Sequence, residues 1–202
     1  MTILKKIIII LLGIFIITQN LIASEEEELK EHFSQKLEIA INIVSDKKLS
    51  KDVRNSEVVK LLTPMFDFEL MAKLSLGKGT WLKLTKEEKI KFVTLYVERM
   101  KNSYSSKLDS YNDEKIDIKN IVRKKNRIIL KTEVLTKEKN IEVVYKFYKP
   151  KKRKKEKDLW LMYDVEIIGI SILKADKAQF KEFLRSKSIY DLMDALSKQT
   201  TK

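Results

Sequence analysis

The chain has 202 residues and a formal charge of +13, from 42 lysines and arginines against 29 acidic residues. It has no cysteine, which excludes disulfides and attachment of lipid through cysteine. Its one histidine, His32, lies beside Glu31 and is expected to be a surface residue, which argues against a histidine-based triad or metal site. A strongly basic chain fits three classes of partner, namely nucleic acid, an anionic membrane surface or an acidic protein.

Residues 1–24 have the three parts of a secretory signal peptide. Two lysines precede an apolar run from Ile7 to Ile17, and small residues follow at Ala23 and Ser24. The apolar run is shorter than the roughly 20 residues that a membrane span needs. Cleavage would leave residues 25–202 as a single exported domain in the periplasm, while an uncleaved N-terminal anchor is the alternative.

The first part of this domain is predicted to be helical. Apolar residues recur at helical spacing from Leu29 to about Asp46, and a second helix from about Ser50 is stopped by Pro64. Asp67 is placed to cap a third helix that ends at Gly77, and we favour this capping role over a catalytic one.

The longest predicted helix opens with a capping box from Thr85 to Glu88 and continues to Tyr111. One apolar stripe starts at Ile90, and Phe92 and Tyr96 widen it. Because this apolar face is broader than one neighbouring helix can cover, we expect the helix to pack on the sheet that follows.

Four strands come next, and their short turns predict an antiparallel meander: Ile116–Arg123, Arg127–Thr136, Ile141–Tyr148 and Leu159–Ile168. The last strand has apolar side chains on both faces, so it must be covered on both. Gly169 then lets the chain leave the sheet towards two final helices. The fold class is therefore α+β, with helices on one side of a curved, four-stranded antiparallel sheet.

A run of basic residues from Lys149 to Lys157 lies in the loop between the last two strands. One interpretation is a solvated loop that protects the sheet from edge-to-edge aggregation. The other is a contact with anionic lipid head groups or with an acidic partner.

Several short motifs occur in a fixed order along the chain: Phe66-Asp-Phe-x-x-Met-Ala72, Leu76-Gly77 followed by Trp81, Thr85-x-x-Glu88, and Trp160-x-x-Tyr-Asp-Val-x-Ile-x-Gly-x-Ser171 with Gln179-Phe180. With the signal peptide, their order and spacing resemble the MlaC family, the toluene-tolerance or periplasmic phospholipid-binding proteins. One departure is the triplet Ala175-Asp176-Lys177, where family members commonly have an Asn-Tyr-Arg-like sequence.

The resemblance implies a soluble carrier in the Gram-negative periplasm. Such a carrier moves glycerophospholipid between an outer-membrane lipoprotein complex and an inner-membrane ABC transporter with its MCE-domain protein. The implied fold is related to the NTF2-like cone. The phospholipid would be cargo, so we expect no cofactor and no metal, and we expect a monomer.

A lipid carrier needs a deep apolar pocket, since burial of each methylene group contributes about 0.8 kcal/mol. We predict the pocket between the helices and the sheet. The predicted lining from the sheet is Val134, Tyr145, Phe147, Tyr163, Val165 and Ile167. The predicted lining from the helices is Phe66, Met71, Trp81, Phe92, Tyr96 and Met100. For each residue, contact with lipid and plain core packing both stay open.

Two other functions are compatible with the composition and differ in what they require of the sequence. An enzyme on an NTF2-like cone could use Asp67, Asp164 or Glu166 as a general base, because an apolar pocket raises the pKa of a carboxyl group. The sequence offers no histidine or cysteine constellation to complete such a site. A nucleic-acid binder would interleave its basic run with aromatic residues, and the run here has none. We therefore expect neither enzymatic activity nor nucleic-acid binding.

Overall fold

The computed structural model describes residues 25–108 and 114–200, so the predicted signal peptide lies outside the described residues. The first half of the chain is helical. Its elements are α1 over residues 25–45, α2 Lys51–Leu62, a 3-10 turn Thr63–Met65, α3 Phe68–Leu76, α4 Lys78–Lys83 and α5 Lys86–Leu108.

The second half begins with an antiparallel sheet and ends with two helices. These elements are β1 Lys115–Lys124, β2 Arg127–Leu135, β3 Asn140–Tyr148, β4 Leu161–Ile167, β5 Ile170–Ser171, α6 Ile172–Phe183 and α7 Ile189–Thr200. The strands are neighbours in chain order. The mixed helix-and-sheet class is confirmed. The predicted count of four strands is wrong, because the chain folds back after β4 and adds β5.

Local hydrogen bonds account for the helix starts. The Asp67 side chain accepts the backbone N–H of Leu70 at 3.1 Å, which confirms the predicted cap of α3. At the start of α5, Thr85 and Glu88 accept each other's backbone N–H groups at 3.1 and 2.8 Å. This capping box is confirmed as well. A box of the same kind opens α7.

The short helix α4 was not predicted. Gly77 ends α3 with a φ of +79°, and Gly79 follows inside the next turn of helix. Glycines lower helix propensity by about 1 kcal/mol each relative to alanine, so the sequence signal there is weak. Burial of Trp81, which is only 8 % exposed, stabilises α4 through tertiary packing instead.

The turn between β4 and β5 has an uncommon backbone conformation. Ile168 and Gly169 connect the strands, and their φ values are +49° and +75°. Positive φ at both central residues is the requirement of a type I′ turn, for which Asn-Gly is the preferred pair. A β-branched residue in this region is strained. Ile168 is also 57 % exposed, so little packing offsets the strain.

We therefore expect Ile168→Asn to stabilise the protein by about 1 kcal/mol, the cost of left-handed backbone in a residue with a Cβ branch. Urea denaturation of the two proteins measures the difference. Ile170→Asn is the matched control, since Ile170 is 65 % exposed but has no positive φ. A gain of the same size in both variants would point to lost surface hydrophobicity and contradict the assignment of strain to Ile168.

Candidate functional site

An apolar cavity of about 260 Å³ lies between the helices and strands β3 and β4. Among the described residues, its lining has one cation, Lys101, and no carboxylate. The full lining is Val59, Leu62, Thr63, Phe66, Phe68, Lys101, Val143, Tyr145, Val165 and Ile167. The arrangement suits a ligand with a long apolar part and an anionic group at its end.

The helical wall of the cavity is fixed through its main chain. The backbone N–H of Asp67 donates to the carbonyl of Met162 on β4 at 2.9 Å, and Phe66 forms a parallel bridge with Met162. The Lys157 ammonium donates to the carbonyls of Thr63 and Phe66 at 2.9 and 3.0 Å. These bonds hold Phe66 over the sheet, close to Phe68 on α3.

The sheet wall follows from strand register. Val143 pairs with Ile167 and Tyr145 pairs with Val165, so four alternating side chains meet on one face. Burial raises the pKa of the Tyr145 hydroxyl above its ordinary value. The hydrogen bond with Thr132 lowers this pKa, but by less than burial raises it. The phenol therefore stays neutral at physiological pH and adds no charge to the cavity.

A smaller cavity of about 80 Å³ adjoins the first one. The two share Leu62, Phe66 and Tyr145, and the smaller one is closed by α1. On α1, Phe33 packs against Tyr145 with ring centroids 4.8 Å apart. The three shared side chains therefore border both cavities.

Ion pairs tie the start of α1 to the sheet and to the basic loop. Glu25 contacts the guanidinium of Arg123 and accepts a hydrogen bond from Lys149 at 2.6 Å. The Nε2 atom of His32 on α1 lies 2.8 Å from the Oδ2 atom of Asp158, which directly follows the basic loop. Through these contacts α1 is held over the smaller cavity.

The basic loop is therefore partly internal. Lys154 lies 2.9 Å from Asp67, whose carboxylate also accepts a hydrogen bond from the Tyr148 hydroxyl. The Lys157 ammonium donates its hydrogen bonds to two backbone carbonyls, and burial lowers the pKa of this group. The interpretation of a purely solvated loop does not fit these lysines, although Lys151 and its neighbours are exposed.

The twelve sequence-predicted lining residues fall into three groups. Those that line the larger cavity are Phe66, Tyr145, Val165 and Ile167. Those that are at most 3 % exposed and lie in the core outside this cavity's lining are Met71, Phe92, Tyr96, Met100 and Phe147.

The third group consists of Trp81, Val134 and Tyr163, none of which lines the larger cavity, although Trp81 belongs to the buried core. Trp81 borders an open surface groove beside α5, with the Lys89 ammonium 5.9 Å from its ring centroid. Val134 is half-buried against the core. Tyr163 lies beside Tyr148 at the bulge in β4. Contact of any of the twelve with lipid stays a prediction.

Sequence reasoning missed six of the cavity residues: Val59, Leu62, Thr63, Phe68, Lys101 and Val143. Val143 could have been found, because it shares a strand face with Tyr145. Val59 and Lys101 carried no such signal. Each belongs to a different helix, and only the tertiary structure brings those helices to one cavity.

A comparison with protein families supplies the identification. Residues 34–198 match the family described as MlaC protein. The chain belongs to the MlaC family. No curated protein matches the chain in a sequence comparison. Among solved structures, this MlaC-family chain is similar to a phospholipid-binding protein from Ralstonia solanacearum, determined in complex with a phospholipid. The TM-score is 0.65 at 16 % identity, and the match covers 83 % of this chain and 96 % of the other. At this identity the likeness shows a common fold.

Two features are absent from the described part of this MlaC-family chain. None of its helices is both long and apolar enough to cross a membrane. None of its clusters of histidine, aspartate and glutamate could hold a metal ion.

The ion pairs of Glu25 predict a pH effect. The hydrogen bond from Lys149, followed by the contacts with Arg123, lowers the pKa of Glu25 below its ordinary value. A lowered carboxyl pKa contributes stability above the unfolded-state pKa of about 4.3, and this contribution is lost as the pH falls through the folded-state pKa. We expect Glu25→Gln to destabilise the protein by less than about 1 kcal/mol at pH 7.

The difference should shrink towards zero as the pH falls below about 4. Thermal unfolding of both proteins at pH 7 and at pH 3 measures it. Glu26→Gln is the control, because Glu26 is next in sequence and no ion pair of its side chain is found among the described residues. A difference that is independent of pH would contradict the role of the Glu25 charge.

Proposed function

We propose that this protein is a periplasmic phospholipid carrier. It shields acyl chains in the apolar cavity and moves glycerophospholipid between an outer-membrane lipoprotein complex and an inner-membrane ABC transporter with its MCE-domain protein. The observation that carries the proposal is the cavity itself, apolar apart from Lys101 and Thr63, in a chain of the MlaC family. Export by the predicted signal peptide, a monomeric state and a cone related to the NTF2 fold are parts of the same proposal.

The physical task is transfer without a covalent step. An acyl chain crossing water exposes each methylene at a cost of about 0.8 kcal/mol, and the cavity removes that cost. The larger cavity is slightly below the range of about 300–1,000 Å³ that is typical of ligand pockets. Loading of a lipid would therefore open the shared wall of Leu62, Phe66 and Tyr145 towards the smaller cavity. Direction of transfer depends on different affinities at donor and acceptor.

Lys101 has the properties of a contact for the lipid phosphate. Its side chain is 34 % exposed, so the ammonium reaches solvent while the residue borders the cavity. Its nearest carboxylate among the described ion pairs, Glu98, is 3.9 Å away and is itself 49 % exposed. A weak surface pair of this kind leaves the ammonium available to a phosphate.

The alternative of an enzyme with a carboxylate base finds less support. The carboxylate of Asp164 accepts hydrogen bonds from Ser171 at 2.8 Å and from Lys146 at 3.0 Å. Lys146 also lowers the pKa of Glu166, which makes that carboxylate a weaker base. Asp67 is held by Lys154 and Tyr148. None of these three carboxylates lines the apolar cavity.

The first test is the lipid content of the protein, expressed from its full coding sequence and purified from the periplasm without detergent. Native mass spectrometry and lipid extraction should find about one phospholipid per chain. Val59→Trp should reduce the bound lipid several-fold, because the indole would fill the cavity. Val53→Trp on the same helix is the control, since Val53 is 45 % exposed.

If the purified protein holds no lipid and takes none from vesicles, the carrier function is wrong. Equal lipid content in the two tryptophan variants would show that lipid binds elsewhere. Circular dichroism of both variants checks that the fold is retained.

The contact with the phosphate has its own test. We expect Lys101→Ala to weaken binding of an anionic phospholipid by about tenfold, which corresponds to the loss of one hydrogen bond to a charged group. Lys91→Ala is the control, because Lys91 is exposed on the same helix and does not line the cavity. Displacement of a fluorescent fatty acid measures both affinities. Unchanged affinity in Lys101→Ala would remove this residue from the site.

A further inference from the structure

The β1–β2 turn and the basic loop lie side by side at one end of the sheet. The turn, with the residue on either side of it, reads Lys124-Lys-Asn-Arg127. The carbonyl of Asn126 accepts the backbone N–H of Lys149, the first residue of the basic loop, at 3.0 Å. Residues 123–127 and 149–158 are therefore neighbours, and together they hold eleven lysines and arginines but only two carboxylates.

The inner cations of these two segments are paired within the molecule. Glu25 contacts both Arg123 and Lys149. Asp67 lies 2.9 Å from the Lys154 ammonium. These cations join α1 and α3 to the sheet, so they are not available to a partner outside the molecule.

Three further cations have acceptors or carboxylates close by. The Lys157 ammonium donates to two backbone carbonyls, and Lys155 lies 3.7 Å from Glu156. Arg153 borders an open groove between the basic loop and α1 that also has three carboxylates. These carboxylates belong to Glu28, Glu31 and Asp158. The groove is therefore close to charge balance and is set apart from the surface considered next.

Five exposed cations at this end of the sheet have no ion pair among the described residues. These five, which we call the lysine patch, are Lys124, Lys125, Arg127, Lys151 and Lys152. The sequence has no acidic residue in 118–132 or in 143–155. At the start of α1, Glu25 is paired twice and Glu27 is paired with Lys30. Glu26 alone is left there to set against the patch, which keeps a clear excess of positive charge.

The chemistry of the patch favours a lipid surface over a protein surface. Four of its five members are lysines, which protein interfaces contain less often than the rest of the surface, whereas aromatic residues are enriched there. Within β1, β2 and the basic loop, the structure shows one exposed large apolar side chain, Val122, at 37 %. Lysine ammonium groups are attracted to the negative potential of an anionic bilayer without a fitted binding pocket.

We infer that the lysine patch holds this protein against the surface of an anionic phospholipid bilayer through contacts with the head groups. The purpose of this contact rests on the proposed carrier function. The basic loop, which carries two of the patch lysines, also fixes the cavity wall, because Lys157 donates to the carbonyls of Thr63 and Phe66. A bilayer bound at the patch is thus connected through one loop to the wall of the cavity that takes up the lipid.

The test measures binding of the purified protein to two kinds of vesicle. One is an equal mixture of phosphatidylglycerol and phosphatidylcholine, and the other is phosphatidylcholine alone. Co-sedimentation should show binding to the anionic vesicles, far weaker binding to the neutral ones, and release by added salt. Each lysine contributes about fivefold in affinity for an anionic surface, so loss of four should weaken binding at least tenfold. The patch variant carries Lys124→Gln, Lys125→Gln, Lys151→Gln and Lys152→Gln.

The matched control has the same net charge as the patch variant but loses exposed lysines elsewhere. It carries Lys47→Gln, Lys48→Gln, Lys91→Gln and Lys181→Gln. Because salt screens distant charges, the control should bind within about twofold of the wild-type protein. Wild-type affinity in the patch variant, or an equal loss in the control, would overturn the inference. Binding to polyglutamate without binding to anionic vesicles would assign the patch to an acidic protein and overturn it as well.

A second measurement locates the contact on the molecule. The chain has no cysteine, so Asn126→Cys and Gln179→Cys each allow one fluorescent label, the first beside the patch and the second exposed on α6. Anionic vesicles with a spin label on the lipid head group should quench the label at residue 126 several-fold more strongly. Equal quenching at the two positions would overturn the assignment of the contact to the patch.

Native mass spectrometry separates this inference from the carrier function. The patch variant should keep its bound lipid, because none of its four altered residues lines either apolar cavity. It should exchange that lipid with anionic vesicles about tenfold more slowly than the wild-type protein. Exchange at the wild-type rate would overturn the membrane contact and leave the carrier function standing. Absence of lipid from the wild-type protein would remove the carrier function, whereas vesicle binding by that protein would still support the patch.

Discussion

The pairing of the 63–67 segment with β4 is the constraint on which the cavity depends. One backbone hydrogen bond to Met162 and two from the Lys157 ammonium fix this segment against the sheet. Because α2 ends at the segment and α3 begins after it, the same contacts set the position of both helices. These polar bonds therefore fix where the apolar side chains of the helical wall lie relative to the sheet.

Buried carboxylates stabilise the junctions around this wall. Asp67, Asp164 and Asp176 are between 2 % and 4 % exposed, and each has a cation and a hydroxyl group as partners. Removal of one partner from such a group would leave a buried charge with less compensation, which costs more than the pair itself contributes. These aspartates are therefore better explained by the joining of elements than by catalysis.

The sequence predicted what depends on neighbouring residues. Side-chain alternation located β1 to β4 to within two residues, and capping residues such as Asp67 and Thr85 marked the helix starts. The fifth strand was missed because it has two residues and an Ile-Gly turn in place of Asn-Gly. The apolar stripe predicted for α5 included Ile90, but this side chain is 59 % exposed. The cavity lining was the hardest to predict, since apolar residues in a core and in a pocket have the same periodicity.

The two adjoining cavities bear on the proposed carrier function. Only the side chains of Leu62, Phe66 and Tyr145 are common to both cavities. Rotamer changes at these three positions would alter the available space without a backbone movement. Rotamer changes are much faster than domain motions, although burial slows them. A carrier built in this way would accept acyl chains of different length and unsaturation with similar affinity, and selectivity would come from the head group.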